Sequence, residues 1–231
     1  MKARSGRAAE ERVFNAVLDA ILDHRLAPGT RLGERELSEL LGASRSAVRA
    51  ALAKLGHSLL VELRPNRGAV IANPTAVETR DLFEARRVIE SAVVQRLARA
   101  LNAKQLAELR AFVAEEQKAY DRGDRKTGQR LSIRFHKLLS ELAGNAELDR
   151  FLEHLICRTP LLTLAHKGSQ LAYCGVGEHR EVIDALARRD PALAVKRMSA
   201  HLTNLEGQLR VVEEPEPSPS LSVALSTAQS R

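Results

Sequence analysis

Two sets of side chains in this sequence could do chemistry. Arg45 and Arg49 stand four residues apart, beside Ser44 and Ser46. On a helix that spacing puts both arginines on one face, opposite the apolar residues Ala47, Val48, Ala51 and Leu52. An arginine so placed reaches guanine O6 and N7 with two hydrogen bonds, worth ~1–3 kcal/mol of discrimination. The serine hydroxyls and the N–H groups of a helix start suit phosphate contacts. Arg35, at the start of the preceding predicted helix, could reach the backbone or a base, and Arg67 at a turn could lie along a minor groove. The second set is imidazole: His136, His179 and His201 fall on three different predicted helices. Helical bundles build ligand and metal sites from facing helices, and imidazoles suit Zn, Ni, Mn or Fe. Yet two arginines also fit an ordinary solvated face, and helical histidines are commonly surface or core residues. The elements that carry them must decide.

A chain of 231 residues exceeds the usual single domain, so two domains are expected. Aromatics are 3% with no Trp, while Leu and Ala dominate, which favours helices over a β-sandwich or barrel. Residues 1–74 carry 12 Lys/Arg against 8 Asp/Glu, and residues 75–231 carry 24 against 21. The basic excess per residue is nearly three times as large in the first third, which suits a polyanionic partner. Cys157 and Cys174 form no disulfide framework or zinc-knuckle spacing, and a reducing cytoplasm follows. There is no apolar leader and no run of 18 apolar residues, so neither export nor membrane insertion is expected.

Residues 1–9 read as a flexible basic arm, followed by a helix over 10–24 that Pro28-Gly29 stops. A short helix over 34–41 ends at Gly42, and Ser44 caps a third helix to about residue 55. Two short apolar strands around Pro65-Asn66-Arg67-Gly68 read as a β-hairpin. From Thr75 onward long helices are expected over 75–101, 103–122 and 124–144, and a fourth from Asn145 that Pro160 interrupts. A loop over 168–177, a fifth helix to 189 and a last one opened by Asp190-Pro191 complete the set. Residues 213–231, rich in Pro and Ser, read as a disordered tail. The fold class is therefore mainly α. A winged helix-turn-helix (three helices plus a β-hairpin) over 10–74 precedes an all-α six-helix bundle over 75–212.

The ordered run Ala27-Pro28-Gly29-Thr30-Arg31-Leu32, Glu34-Arg35-Glu36-Leu37, Leu41-Gly42-Ala43-Ser44-Arg45-Ser46-Ala47-Val48-Arg49-Ala50-Ala51-Leu52 and Pro65-Asn66-Arg67-Gly68 resembles the GntR family of bacterial regulators. The resemblance implies DNA contacts at Arg35, Ser44, Arg45 and Arg49, with Asn66, Arg67 and Gly68 as the wing tip; Ser46 joins them from its place on the third helix. Two positions depart from the family pattern: Ala50 stands where Glu is usual, and Leu59 where Gly is usual.

Residues 76–211 resemble the FCD domain of the FadR subfamily, through Arg86-Arg87-Val88-Ile89-Glu90, Phe135-His136, Gly144-Asn145, Glu178-His179 and His201. Many such domains bind a divalent metal through three His and an Asp one turn before the first. The resemblance thus implies one divalent transition metal per subunit on His136, His179 and His201, with Ser132 at the Asp position. It also implies Arg86 and Ser132 as effector-binding residues; a salt bridge from Arg86 to Glu90 at i,i+4 is the alternative for Arg86. His154, His166 and both cysteines fit no motif.

The expected function is a homodimeric, sequence-specific transcription regulator, a repressor of a catabolic operon, acting on a near-palindromic operator. An organic-acid metabolite in the helical domain would control it. Two alternatives remain: a metal-dependent enzyme built on the three histidines, and a sequence-tolerant architectural DNA-binding protein.

Overall fold

Apolar side chains at helical spacing build the first unit. The structure is a computed structural model describing residues 2–65, 67–165, 175–209 and 220–226. Helix α1 (Lys2–Leu22) buries Val13, Val17 and Ile21 against Ala47, Val48, Ala51, Leu52 and Leu55 of α3 (Arg45–His57). Between them stand strand β1 (Arg31–Leu32) and helix α2 (Glu34–Leu41), which contributes Leu37. Gly42 ends α2 in the left-handed conformation, φ 57°, and the Ser44 hydroxyl accepts the Ala47 N–H to cap α3.

The hairpin of β2 (Val61–Arg64) and β3 (Gly68–Ile71) forms as expected, with Val61 opposite Ile71 and Arg64 opposite Gly68. It is joined by a third strand that sequence reading missed. β1 pairs antiparallel with β3, giving the order β1-β3-β2. Two residues are too few to show any alternation. Gly68 makes this sheet possible: at φ 79° a Cβ here would stand 2.3 Å from the Leu32 carbonyl oxygen.

Leu59 adopts φ 55° where the chain leaves α3 for β2, with its side chain 55% exposed. A branched residue there is strained by ~1–2 kcal/mol, and glycine is not. Leu59→Gly is therefore expected to raise the stability of this unit by ~0.5–1 kcal/mol once the looser unfolded chain is counted. A rise in the urea midpoint checks this; an unchanged or lower midpoint contradicts it.

Two expectations for the chain ends are corrected. Residues 1–9, read as a flexible arm, are helical from Lys2. Ala8, Ala9, Glu10 and Glu11 are strong helix formers, and Arg7 stands 3.9 Å from Glu11 at i,i+4. The tail, read as disordered, contains α11 (Leu221–Ser226), whose Leu221, Ala224 and Leu225 are buried in the first unit's core. Arg25 donates to the Ala224 carbonyl. The first unit also takes in α8 (Thr159–Ala165), which places Leu161 in the same core. The remainder of the tail, Asn66, His166, Cys174 and most of the loop expected over 168–177 lie outside the described residues.

The second unit holds six helices: α4 (Ala76–Ala100), α5 (Ala103–Asp121), α6 (Arg125–Ala143), α7 (Ala146–Ile156), α9 (Val176–Ala187) and α10 (Pro191–Gly207). Thr75 and Glu78 form a reciprocal capping box on α4, as Asn102 and Gln105 do on α5. Asp124 and Asp190 cap α6 and α10. α10 packs along α4, α5 along α6, and α9 against both α5 and α10. Phe83, Val94, Leu97, Leu109, Phe135 and Met198 are fully buried. Among the described residues no helix is long and apolar enough to cross a membrane.

Candidate functional site

The α3 amphipathicity read from sequence is present in the first unit. Ala47, Val48, Ala51 and Leu52 are buried while Ser44, Arg45, Ser46 and Arg49 are exposed. The buried side anchors the helix, so the exposed side presents its guanidinium groups from a rigid support. Arg49 lies 3.7 Å from the half-buried Glu34, and Arg35 lies 3.8 Å from Glu39, with both arginines largely in solvent. Such exposed pairs are worth ~0–1 kcal/mol, so a phosphate or base edge can displace them. The Ser44 hydroxyl, besides capping the helix, stands 3.0 Å from that of Ser46. Arg67 is exposed on the hairpin turn, where its N–H closes back on the Arg64 carbonyl. Gly68 opens β3 behind it. Ala50 is exposed beside Arg49. Its departure from the usual Glu therefore alters the surface and leaves the packing intact.

In the second unit the three histidines converge. His136 on α6, His179 on α9 and His201 on α10 are each at most 2% exposed, and one ring nitrogen from each lies within 4.8 Å of the others. Their approach is set from behind. His136 Nδ1 meets Glu90 of α4 at 2.5 Å, His179 Nδ1 meets Glu116 of α5 at 2.8 Å, and His201 Nδ1 meets Glu178 of α9 at 2.8 Å. A carboxylate only accepts, so each Nδ1 carries the proton and each Nε2 keeps its lone pair for the centre. Asn204 donates to Glu178 and fixes its other oxygen. Phe135 stacks on His179 with centroids 4.1 Å apart.

Electrostatics hold the His136 branch in one protonation state. Burial alone would raise the Glu90 carboxyl, but the Arg86 guanidinium and the His136 ring outweigh it and bring it down to about 2. Burial likewise lowers His136 to about 3, against the pull of Glu90. At neutral pH the pair is thus an ionised carboxylate and a neutral imidazole, the form a cation needs. Arg86, 1% exposed, donates from Nε to Glu90 at 2.7 Å, so the structure contains the i,i+4 salt bridge considered as its alternative role.

The donor set fits a divalent ion. His136 Nε2 and His201 Nε2 are 3.4 Å apart, against ~3.3–3.4 Å for two nitrogens bound ~2.0–2.1 Å from a tetrahedral metal. Ser132 lies one turn before His136 on α6 and is 3% exposed, and its hydroxyl has no hydrogen-bond partner among the described residues. Ser140, one turn after His136, is buried in the same condition. His154 is exposed on α7, away from this buried set. Glu116 was missed by sequence reading. The available signal was a carboxylate in register with buried Leu109 and Val113 on α5, a place where an unpaired charge is costly.

Comparisons with known proteins cover both units. Residues 9–71 match the family model described as "Bacterial regulatory proteins, gntR family", and residues 81–204 match that of the FCD domain. The HTH-type transcriptional repressor RspR of Escherichia coli strain K12 is 25% identical over 207 residues, spanning 88% of this chain and 90% of its own. A protein of Paenarthrobacter nicotinovorans named "Probable D-xylose utilization operon transcriptional repressor" is 30% identical over 210 residues, spanning 87% and 91%. Among solved structures, a GntR transcriptional regulator of Rhodococcus sp. RHA1 is 26% identical with a TM-score of 0.75, covering 87% of this chain and 97% of that one.

Proposed function

The chain belongs to the GntR family of bacterial regulatory proteins and carries an FCD domain over most of its C-terminal part, and from that premise we propose that it is a repressor of a catabolic operon. The family is one of DNA-binding transcription regulators with a ligand-responsive domain, and not of enzymes. Relatives that themselves carry the name repressor support the sign of the regulation. The observation that carries the reading is the exposed Arg45–Ser46–Arg49 face on a helix whose other side is wholly buried.

In this reading α3 enters a major groove, with Arg45 and Arg49 on base edges and Ser44, Ser46 and Arg35 positioning it on phosphates. Arg67 and Gly68, with Asn66, form the wing tip against the adjacent backbone or minor groove. Two copies related by a two-fold axis read the halves of a near-palindromic operator. A small organic acid bound in the helical unit biases the operator-competent state by a coupling of ~1–3 kcal/mol. The site of action is the bacterial cytoplasm.

His136, His179 and His201 would hold one divalent transition metal, with Glu90, Glu116 and Glu178 orienting them. A bound cation supplies positive charge at which an effector carboxylate can be read. Charge balance supports this. Arg86 offsets Glu90, and the two remaining carboxylates behind His179 and His201 match a doubly charged ion.

Extensive dialysis against a chelator should lower the thermal midpoint, and Ni²⁺ or Zn²⁺ should restore it. With metal at a hundred times its dissociation constant the stabilisation is ~2.7 kcal/mol, or about 5–10 °C for a domain of this size. His179→Ala should not respond. A wild-type midpoint indifferent to chelator and metal alike would remove the metal from the account.

A further inference from the structure

The core of the first unit is closed by a segment from late in the chain. Helix α11 (Leu221–Ser226) follows the residues that match either family model, and in chain order it comes after α10, the last helix of the second unit. It packs against α1 and puts Leu221, Ala224 and Leu225, each at most 5% exposed, into the apolar cluster of Val13, Val17 and Ile21. Ser222, Val223 and Ser226 are exposed. Anchors at i, i+3 and i+4 are the signature of a helix laid on an apolar groove. A polar contact completes the seat. Arg25, paired with Asp23 at 3.2 Å, donates to the Ala224 carbonyl in the last turn of α11, where carbonyls lack a helical partner and a cation is favoured. Six residues are far too few for a helix to hold itself in water. α11 therefore owes its form to the face it occupies, and leaving that face and unfolding are one event.

We infer that α1 bears a docking site for a short amphipathic helix, that the chain's own α11 is its occupant, and that this docking is a releasable clasp on the DNA-binding unit. Exposure distinguishes a clasp from a block. With α11 in place Ser44, Arg45, Ser46 and Arg49 are all exposed, so the docked helix leaves the α3 face uncovered. What α11 supports is α1, and α1 packs along α3. Release strips three apolar side chains from the core that anchors α3 and leaves their neighbours without those contacts. The operator-competent form is then the docked one, a step that rests on the recognition role proposed for α3. By linkage, operator binding and docking favour each other.

The test uses the full-length protein, its Leu221→Asn, Leu225→Asn double variant, and a fluorescein-labelled peptide of residues 218–229. The variant lacks the α11 anchors, so its site on α1 is free. The peptide should bind it at least about tenfold more tightly than the wild type, whose site is filled. Amide hydrogen exchange along α1 should be about tenfold or more faster in the variant and should slow again with saturating peptide. Exchange in α4, α5, α6, α9 and α10 should match the wild type. Affinity for a duplex enriched by the wild type from a randomised pool should fall about tenfold or more, within the ~5–150-fold range of coupling, and recover with peptide. No peptide binding by the variant, or α1 exchange at the wild-type rate, would overturn the docking site. Peptide binding with unchanged affinity for the duplex would overturn the clasp and leave the site. Failure of the wild type to enrich any duplex would overturn the α3 reading instead, with the peptide and exchange results unaffected. Leu225→Ala, which shortens a single anchor, should show the same changes at smaller amplitude and decides the matter where the double variant folds poorly.

Discussion

Replacing Arg45 and Arg49 together by alanine is expected to abolish the preference for operator over random DNA, with the circular dichroism spectrum and thermal midpoint unchanged. Both side chains are exposed, and among the described residues the only ion pair that either forms is the loose contact between Arg49 and Glu34. Their removal costs the fold nothing of consequence, since surface changes of this kind stay within ~0.5 kcal/mol. Each arginine with a bidentate base contact carries ~1–3 kcal/mol of discrimination. Losing both lowers the specific affinity by about a thousandfold, which brings it down to the non-specific level of such proteins. The variant keeps a weak, steeply salt-dependent affinity from the remaining basic groups. Arg35→Ala, on α2, should weaken operator and random DNA alike and so serves as the contrast. A double variant that footprints like the wild type would remove α3 from the recognition role.

Arg86→Met is expected to destabilise the helical unit by ~3–5 kcal/mol, a fall of about 10 °C in its thermal midpoint. The loss is large because of what the substitution leaves behind. Arg86 and Glu90 are each 1% exposed, and the guanidinium is the cation that keeps the Glu90 carboxyl down at about 2. Without it the buried carboxylate keeps, among the described residues, only its contact with the His136 ring. The double variant Arg86→Met, Glu90→Met removes both charges and should recover part of the loss, since an apolar pair of similar volume is often tolerated. A single variant with wild-type stability would show that Arg86 is not the partner that holds Glu90. A double variant less stable than the single would place the cost in packing.

The parts of the structure that were legible in the sequence are those set by local chemistry. Gly42 as a left-handed cap, Ser44 as an N-cap, Thr75, Asp124 and Asp190-Pro191 as helix starts each follow from a few neighbouring atoms. The α3 faces were legible because a periodicity of 3.6 separates Arg45 and Arg49 from Ala47, Val48, Ala51 and Leu52. Convergence of His136, His179 and His201 was not derivable from spacing, since 65 positions separate the first from the last. It entered through the resemblance, and the structure supplies the geometry. Glu90 and Glu178 stand in the motifs that carry the resemblance, but the pairing of Glu90, Glu116 and Glu178 with His136, His179 and His201 was beyond sequence reading, as each lies on a helix other than that of its histidine. α11 was obscured by its Pro- and Ser-rich surroundings, although its Leu221 and Leu225 have the i,i+4 spacing of a buried face. The N-terminal extension of α1 was hidden by basic residues that suggest a solvated arm yet propagate a helix well.

The central claim is sequence-specific DNA recognition by the α3 face, and one measurement addresses it most directly. Duplexes enriched by the full-length protein from a randomised pool are compared with the starting pool by fluorescence anisotropy at physiological salt. The account predicts a near-palindromic consensus bound at least about a thousandfold more tightly than the pool. No enrichment, or equal affinity for enriched and starting DNA, would contradict it and leave only sequence-tolerant binding.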